Sequence, residues 1–150
     1  MTDASNGGTY TLLIAVSEPR TLEVGALGES EFESGWYAYT GSALGPGGFA
    51  RVERHRELAA GERDVRHWHI DHLLGAAEAT IDVVARSPGV DAECAIAQSI
   101  PGDAVPGFGS SDCACHSHLA YSPRRAPLAE AVREAHRAHG TETVVETADG

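Results

Sequence analysis

The sequence predicts a mixed α/β fold of the α+β kind, built on an antiparallel sheet, and three observations lead there. Its 150 residues suffice for one well-buried core and are too few for two. Between Thr9 and Gly41 three short strand-like runs follow one another with brief connections, which favours an antiparallel meander. Downstream, apolar residues recur at helical spacing in segments that can pack on such a sheet.

Each element has its own reason. Thr9 to Val16 is β-branched or apolar and is interrupted by Pro19, so it reads as a first strand. Thr21 to Leu27 alternates and stops at Gly28, giving a second strand after a hairpin turn near Ser17 to Arg20. Gly35 to Gly41 is short and aromatic and gives a third, with Tyr39-Thr40-Gly41 an ordinary way to end a strand. After the loop Leu44-Gly45-Pro46-Gly47-Gly48, Phe49 to Ala60 has helical spacing with Phe49, Val52 and His55 on one side. Arg51 and His55, four residues apart, share a face of that helix.

His67 to Leu74 fits either a strand leading into a helix or a helix start. Ile81 to Ala85 reads as a strand ended by Ser87-Pro88-Gly89, and Asp91 to Ile100 as a helix capped by Asp91, with a buried stripe of Cys94, Ala97 and Ile100 and Glu93 beside it. Gly102 to Ser117 has a loop composition, and His118 to Tyr121 makes a last short strand. Pro127 to His139 is a helix with proline in its first turn and Gly140 as its stop. The final ten residues are polar and acidic and read either as disordered or as a weak edge strand. The chain thus divides into a frayed polar leader (1–7), a main domain (8–125) and a C-terminal helix with its tail (126–150).

No apolar run approaches the ~20 residues that span a bilayer, and Met1 to Gly7 resembles neither a secretory signal nor a transit peptide. Three cysteines, an odd number, suit a reducing interior, so the expected location is cytoplasmic. The formal charge is −11, with 22 acidic residues against 11 basic ones, all arginine. An acidic, lysine-free chain points to a halophilic cytoplasm, with GC-rich coding the other explanation of the missing lysine. The charge does not exclude a nucleic-acid partner, because the arginines cluster at Arg51, Arg54 and Arg56, at Arg63 and Arg66, and at Arg124 and Arg125.

Chemistry is suggested by order. Gly8-Thr9-Tyr10, then Tyr39-Thr40-Gly41, then Arg51-Val52-Glu53-Arg54-His55 and a helical Glu93 form a string that resembles the GIY-YIG nuclease superfamily. The segments Val24-Gly25-Ala26-Leu27-Gly28, Tyr37 to Ala43, Trp68-His69-Ile70-Asp71 and Phe108 to Leu119 are similar, more closely, to the DUF123 family within it. The resemblance covers roughly Gly8 to Tyr121 and implies a compact domain with a small antiparallel sheet flanked by helices, cleaving DNA with one divalent metal. It implies Tyr10 and Tyr39 beside the scissile phosphate, one of them helping to deprotonate the attacking water. Arg51 would stabilise the developing negative charge, His55 would shuttle a proton or position the phosphate, and Glu93 would hold Mg²⁺ or Mn²⁺. Arg54, His69, Ser110, Asp112 and His118 are further substrate-binding candidates, and a repair protein is a further partner.

Here 28 residues separate Tyr10 from Tyr39, more than is usual in the superfamily and enough for an additional strand. The loop before Arg51 is also lengthened. A displacement of ~1 Å can cost ~100-fold in rate, so a non-catalytic nucleic-acid-binding module on the same fold stands beside the enzyme. The tyrosines also read as strand residues with buried rings and wet hydroxyls, and Arg51 and Arg54 as a solvated helix face. Cys113, Cys115, His116 and His118 suggest a third reading, a small zinc-stabilised interaction domain. Cys-x-Cys is not the usual knuckle spacing, and a tight loop over the sheet, with Asp112 capping amides and Cys113 buried, explains the segment without zinc.

Overall fold

A computed structural model describes residues 8–23, 28–42, 52, 54, 55, 57, 69–74, 79–88, 93–100, 103–104, 119–139 and 144–147. Strands β1 (Gly8–Val16), β4 (Gly35–Ser42), β5 (Ala79–Pro88), β6 (Asp103–Ala104), β7 (Leu119–Ser122) and β8 (Val144–Thr147) form one sheet in the order β6-β7-β4-β1-β5-β8. Every pairing in it is antiparallel. Strands β2 (Arg20–Glu23) and β3 (Glu29–Phe32) pair with each other and, among the described residues, with no other strand. Helices α1 (His69–Leu74), α2 (Glu93–Ser99) and α3 (Arg125–His139) accompany the strands, and Val52, Arg54, His55 and Glu57 are also helical.

Alternation along β1 explains why helices cover both faces. Tyr10, Leu12, Ile14 and Val16 enter one apolar cluster with Tyr37, Tyr39, Val52 and the α1 residues Ile70, Leu73 and Leu74. Leu13 enters the other, with Ala38, Val83, Ile96 and Ile100 beside α2 and Leu128, Ala129, Val132 and Ala135 of α3. We call the first side the front and the second the back. The predicted antiparallel sheet with helices is therefore present, and the C-terminal helix and strand are integral to it.

The meander is not. β1 makes no hairpin with β2; its two edges are taken by β4 and β5. The physical reason is length and polarity: β4 and β5 offer eight or more residues with apolar faces, whereas β2 is the short polar run Arg-Thr-Leu-Glu. The extra residues between Tyr10 and Tyr39 hold the β2–β3 ribbon, which leaves the sheet after Val16 and returns at its register partner Gly35.

Three smaller expectations are also corrected. Ser87 and Pro88 belong to β5 instead of ending it, Pro88 as its last residue. Ile96, not expected in the buried stripe of α2, is fully buried, and Ile100, expected there and lying just after the helix, is buried as well; Ala97 is only half-buried, and the side chain of Cys94 lies outside what is described. Within the presumed loop 102–117, Asp103 and Ala104 pair with β7. In the segment 67–74, His69–Leu74 is helical and 67–68 lie outside the described residues; of the two readings of the last ten residues, the edge strand is found at Val144–Thr147.

Candidate functional site

The site lies on the front, at the end of the sheet where Gly8, Ser42 and Pro88 meet. Tyr10 is fully buried, and its hydroxyl lies 2.7 Å from Nε2 of His55, 45 residues away in sequence. In the neutral imidazole with its proton on Nδ1, the phenol donates to Nε2. Tyr39 completes an aromatic triangle, its ring centroid 6.4 Å from that of Tyr10 and 6.2 Å from that of His55. Val52, one helical turn before His55, is buried in the same cluster and presses this helical face onto the sheet.

A glycine makes room for the pair. Gly41 is the cross-strand partner of Tyr10, and a Cβ on it would stand 2.6 Å from the Tyr10 hydroxyl oxygen and 2.8 Å from Cζ. Contacts that short do not occur, so the phenol occupies its position only because residue 41 has no side chain. The Tyr-x-Gly motif is thus a packing requirement, and β4 continues past it to Ser42.

Behind the same strands is a second buried polar group. Thr11, Thr40 and His136 are fully buried on the back, with Thr11 Oγ1 lying 2.9 Å from Thr40 Oγ1 and 2.7 Å from His136 Nε2. Nδ1 of His136 lies 2.8 Å from Oγ of Ser87, also fully buried. A neutral imidazole donates through one nitrogen and accepts through the other, and hydroxyls can serve both. Thr11 and Thr40 follow Tyr10 and Tyr39 in sequence, so this network fastens the strands that carry the tyrosines to α3.

A family model described as Domain of unknown function DUF123 matches residues 9–141. The chain belongs to the DUF123 family. No curated protein and no solved structure matches it significantly.

Of the residues proposed from sequence, this DUF123 domain brings together Tyr10, Tyr39 and His55. Arg54, next to His55, is half-buried with its Nη2 shut off from solvent. Glu93 and His69 are described by backbone alone. Glu93 opens α2 five residues after β5 ends at Pro88, while Ile96 of α2 and Ile100 just after it pack on the back. Arg51, Ser110, Asp112, Cys113, Cys115, His116 and His118 lie outside the described residues. Among the described residues no group of three or more His, Cys, Asp or Glu is placed to hold a metal ion, and no helix is long and apolar enough to cross a membrane.

Sequence reasoning missed Gly41 as a spacer, the Thr11–Thr40–Ser87–His136 network, and Arg86, the partner of Tyr10 on β5. Alternation signals the face each of these residues takes; their pairing across strands has no local signal.

Proposed function

We propose that this DUF123 domain is a metal-dependent endonuclease of the GIY-YIG superfamily that hydrolyses phosphodiester bonds in DNA during repair. The observation that carries the reading is the Tyr10–His55 contact at 2.7 Å with Tyr39 beside it. A phenol near its ordinary pKa of ~10 is a poor base at neutral pH, and an imidazole hydrogen-bonded to it gives the proton a place to go. In the proposed step a water oxygen forms a bond to phosphorus as the bond to one ester oxygen breaks. The proton of the water passes to the Tyr10–His55 pair, and the leaving oxygen takes a proton in turn. Arg51 stabilises the charge that develops on the non-bridging oxygens.

Mg²⁺ keeps most of its waters and needs only one or two carboxylates besides the phosphate. Glu93 at the start of α2 would supply one; bound there, the ion would polarise the phosphate. The test is cleavage of labelled duplex, branched and abasic DNA with Mg²⁺ or Mn²⁺, from low to multimolar salt, by the wild type and Glu93→Ala. The proposal requires metal-dependent nicking that the variant loses.

A second reading is favoured by burial. Tyr10 and His55 are both sealed from solvent, which fits a pair that braces a binding module better than one that exchanges protons with a substrate. DNA binding that persists in chelator, with no product from folded wild type under any salt condition, would select that reading.

A further inference from the structure

Strand β5 brings a basic residue to this site. In the β1–β5 register Arg86 is the direct partner of Tyr10, whose partner on the other side is Gly41, so the three form one row across the sheet. Directly opposed residues of an antiparallel pair project from the same face, with Cβ atoms about 4.5–5.5 Å apart. The face follows independently from the neighbours. Leu12 and its partner Val84 belong to the front cluster with Tyr10 and Tyr39, whereas Leu13 and its partner Val83 belong to the back. The register shift falls between Leu13 and Ile14, beyond this row.

Arg86 is half-buried and its Nε is closed off from solvent. Its front-face neighbours on β5, Val84 and Ile81, are apolar core residues. Its guanidinium is a permanently charged planar fork matched to the oxygens of a phosphate.

We infer that Arg86 is a substrate-contacting residue of this site, its guanidinium binding a non-bridging oxygen of the phosphodiester at the row of the sheet that carries Tyr10. The choice of ligand rests on the nucleic-acid reading of the site; the place of Arg86 beside Tyr10 rests on strand register.

Binding of fluorescently labelled DNA, measured by anisotropy in chelator across a salt series, tests this without requiring turnover. Arg86→Gln should bind roughly tenfold more weakly, the scale of one charge-assisted hydrogen bond. The slope of log K against log salt should fall by about one phosphate contact. Arg86→Lys should keep the slope and recover only part of the affinity. If Arg86→Gln does not fold, Arg86→Met preserves the apolar stem and carries the same comparison. An unchanged affinity and slope in a folded variant overturns the inference, as does a wild type that binds no DNA. A wild type that binds but never cuts defeats the nuclease reading alone.

Discussion

At the scale of residues, Gly41 acts through the space it leaves. Gly41→Ala would push its methyl group into the Tyr10 phenol; we expect a loss of about 1–3 kcal/mol in urea unfolding, the usual range for overpacking a core. In a Tyr10→Ala background the same change should cost far less, and additive costs would show that the clash is relieved elsewhere. On the nuclease reading, Tyr10→Phe and His55→Gln should each slow cleavage by ~10²–10⁴-fold. The double variant should be little worse than either single one, since the two act as a unit; fully multiplicative losses in single-turnover rates would argue against a shared proton path. Tyr10, Tyr39 and His55 were legible in sequence because a motif order marks them. Gly41 read as a strand end, because its reason is a ring on another strand.

At the scale of elements, two tyrosines hold the β2–β3 ribbon to the sheet. Tyr37 donates to the carbonyl of Glu33 at 2.9 Å and Tyr121 to that of Ser34 at 2.8 Å, just where the ribbon re-enters at Gly35. Gly35 has φ +143° and lies so close to the Tyr121 ring that a Cβ would stand 2.7 Å from Cε1. Burial first, then the phenol of Tyr121, pushes the Tyr37 pKa well above its ordinary 10, with the Glu33 carbonyl pulling the other way. Above pH ~10 the unfolded chain ionises this phenol while the folded one does not, so stability should fall as pH rises. In urea titrations at alkaline pH, Tyr37→Phe should show a shallower fall than the wild type; parallel curves would exclude Tyr37 as the cause.

The His136 network behind the tyrosines ties α3 to the sheet, and His136→Ala leaves Thr11 and Ser87 without that partner. We expect a loss of about 3 kcal/mol, from stranded hydroxyls and the cavity together, read as the shift in urea midpoint. The long strands were legible from β-branched runs and alternation, and α3 from the proline in its first turn and Gly140 as its stop, whereas the short β3 and β6 were not. The pairing of β1 was not: sequence proximity favoured β2, while the long apolar strands that take both edges begin 19 and 63 residues after β1 ends.

At the scale of the whole molecule, 22 acidic side chains on 150 residues repel one another. The Debye length falls from about 10 Å at 0.1 M salt to about 3 Å at 1 M, so the urea midpoint should rise with KCl well beyond physiological strength. A flat or falling dependence would remove the halophilic reading and leave coding bias as the account of the missing lysines. The sheet order also bears on how the chain is made. Its central strand is synthesised first, yet neither neighbour in the finished sheet adjoins it in sequence. Until Ala79–Pro88 has left the ribosome, the stretch Leu12 to Val16 has an open edge, an exposure on the order of 10 s at ordinary elongation rates. Such a chain folds slowly for its size and is vulnerable to association with other copies while it waits, so recovery on refolding should decline as protein concentration is raised.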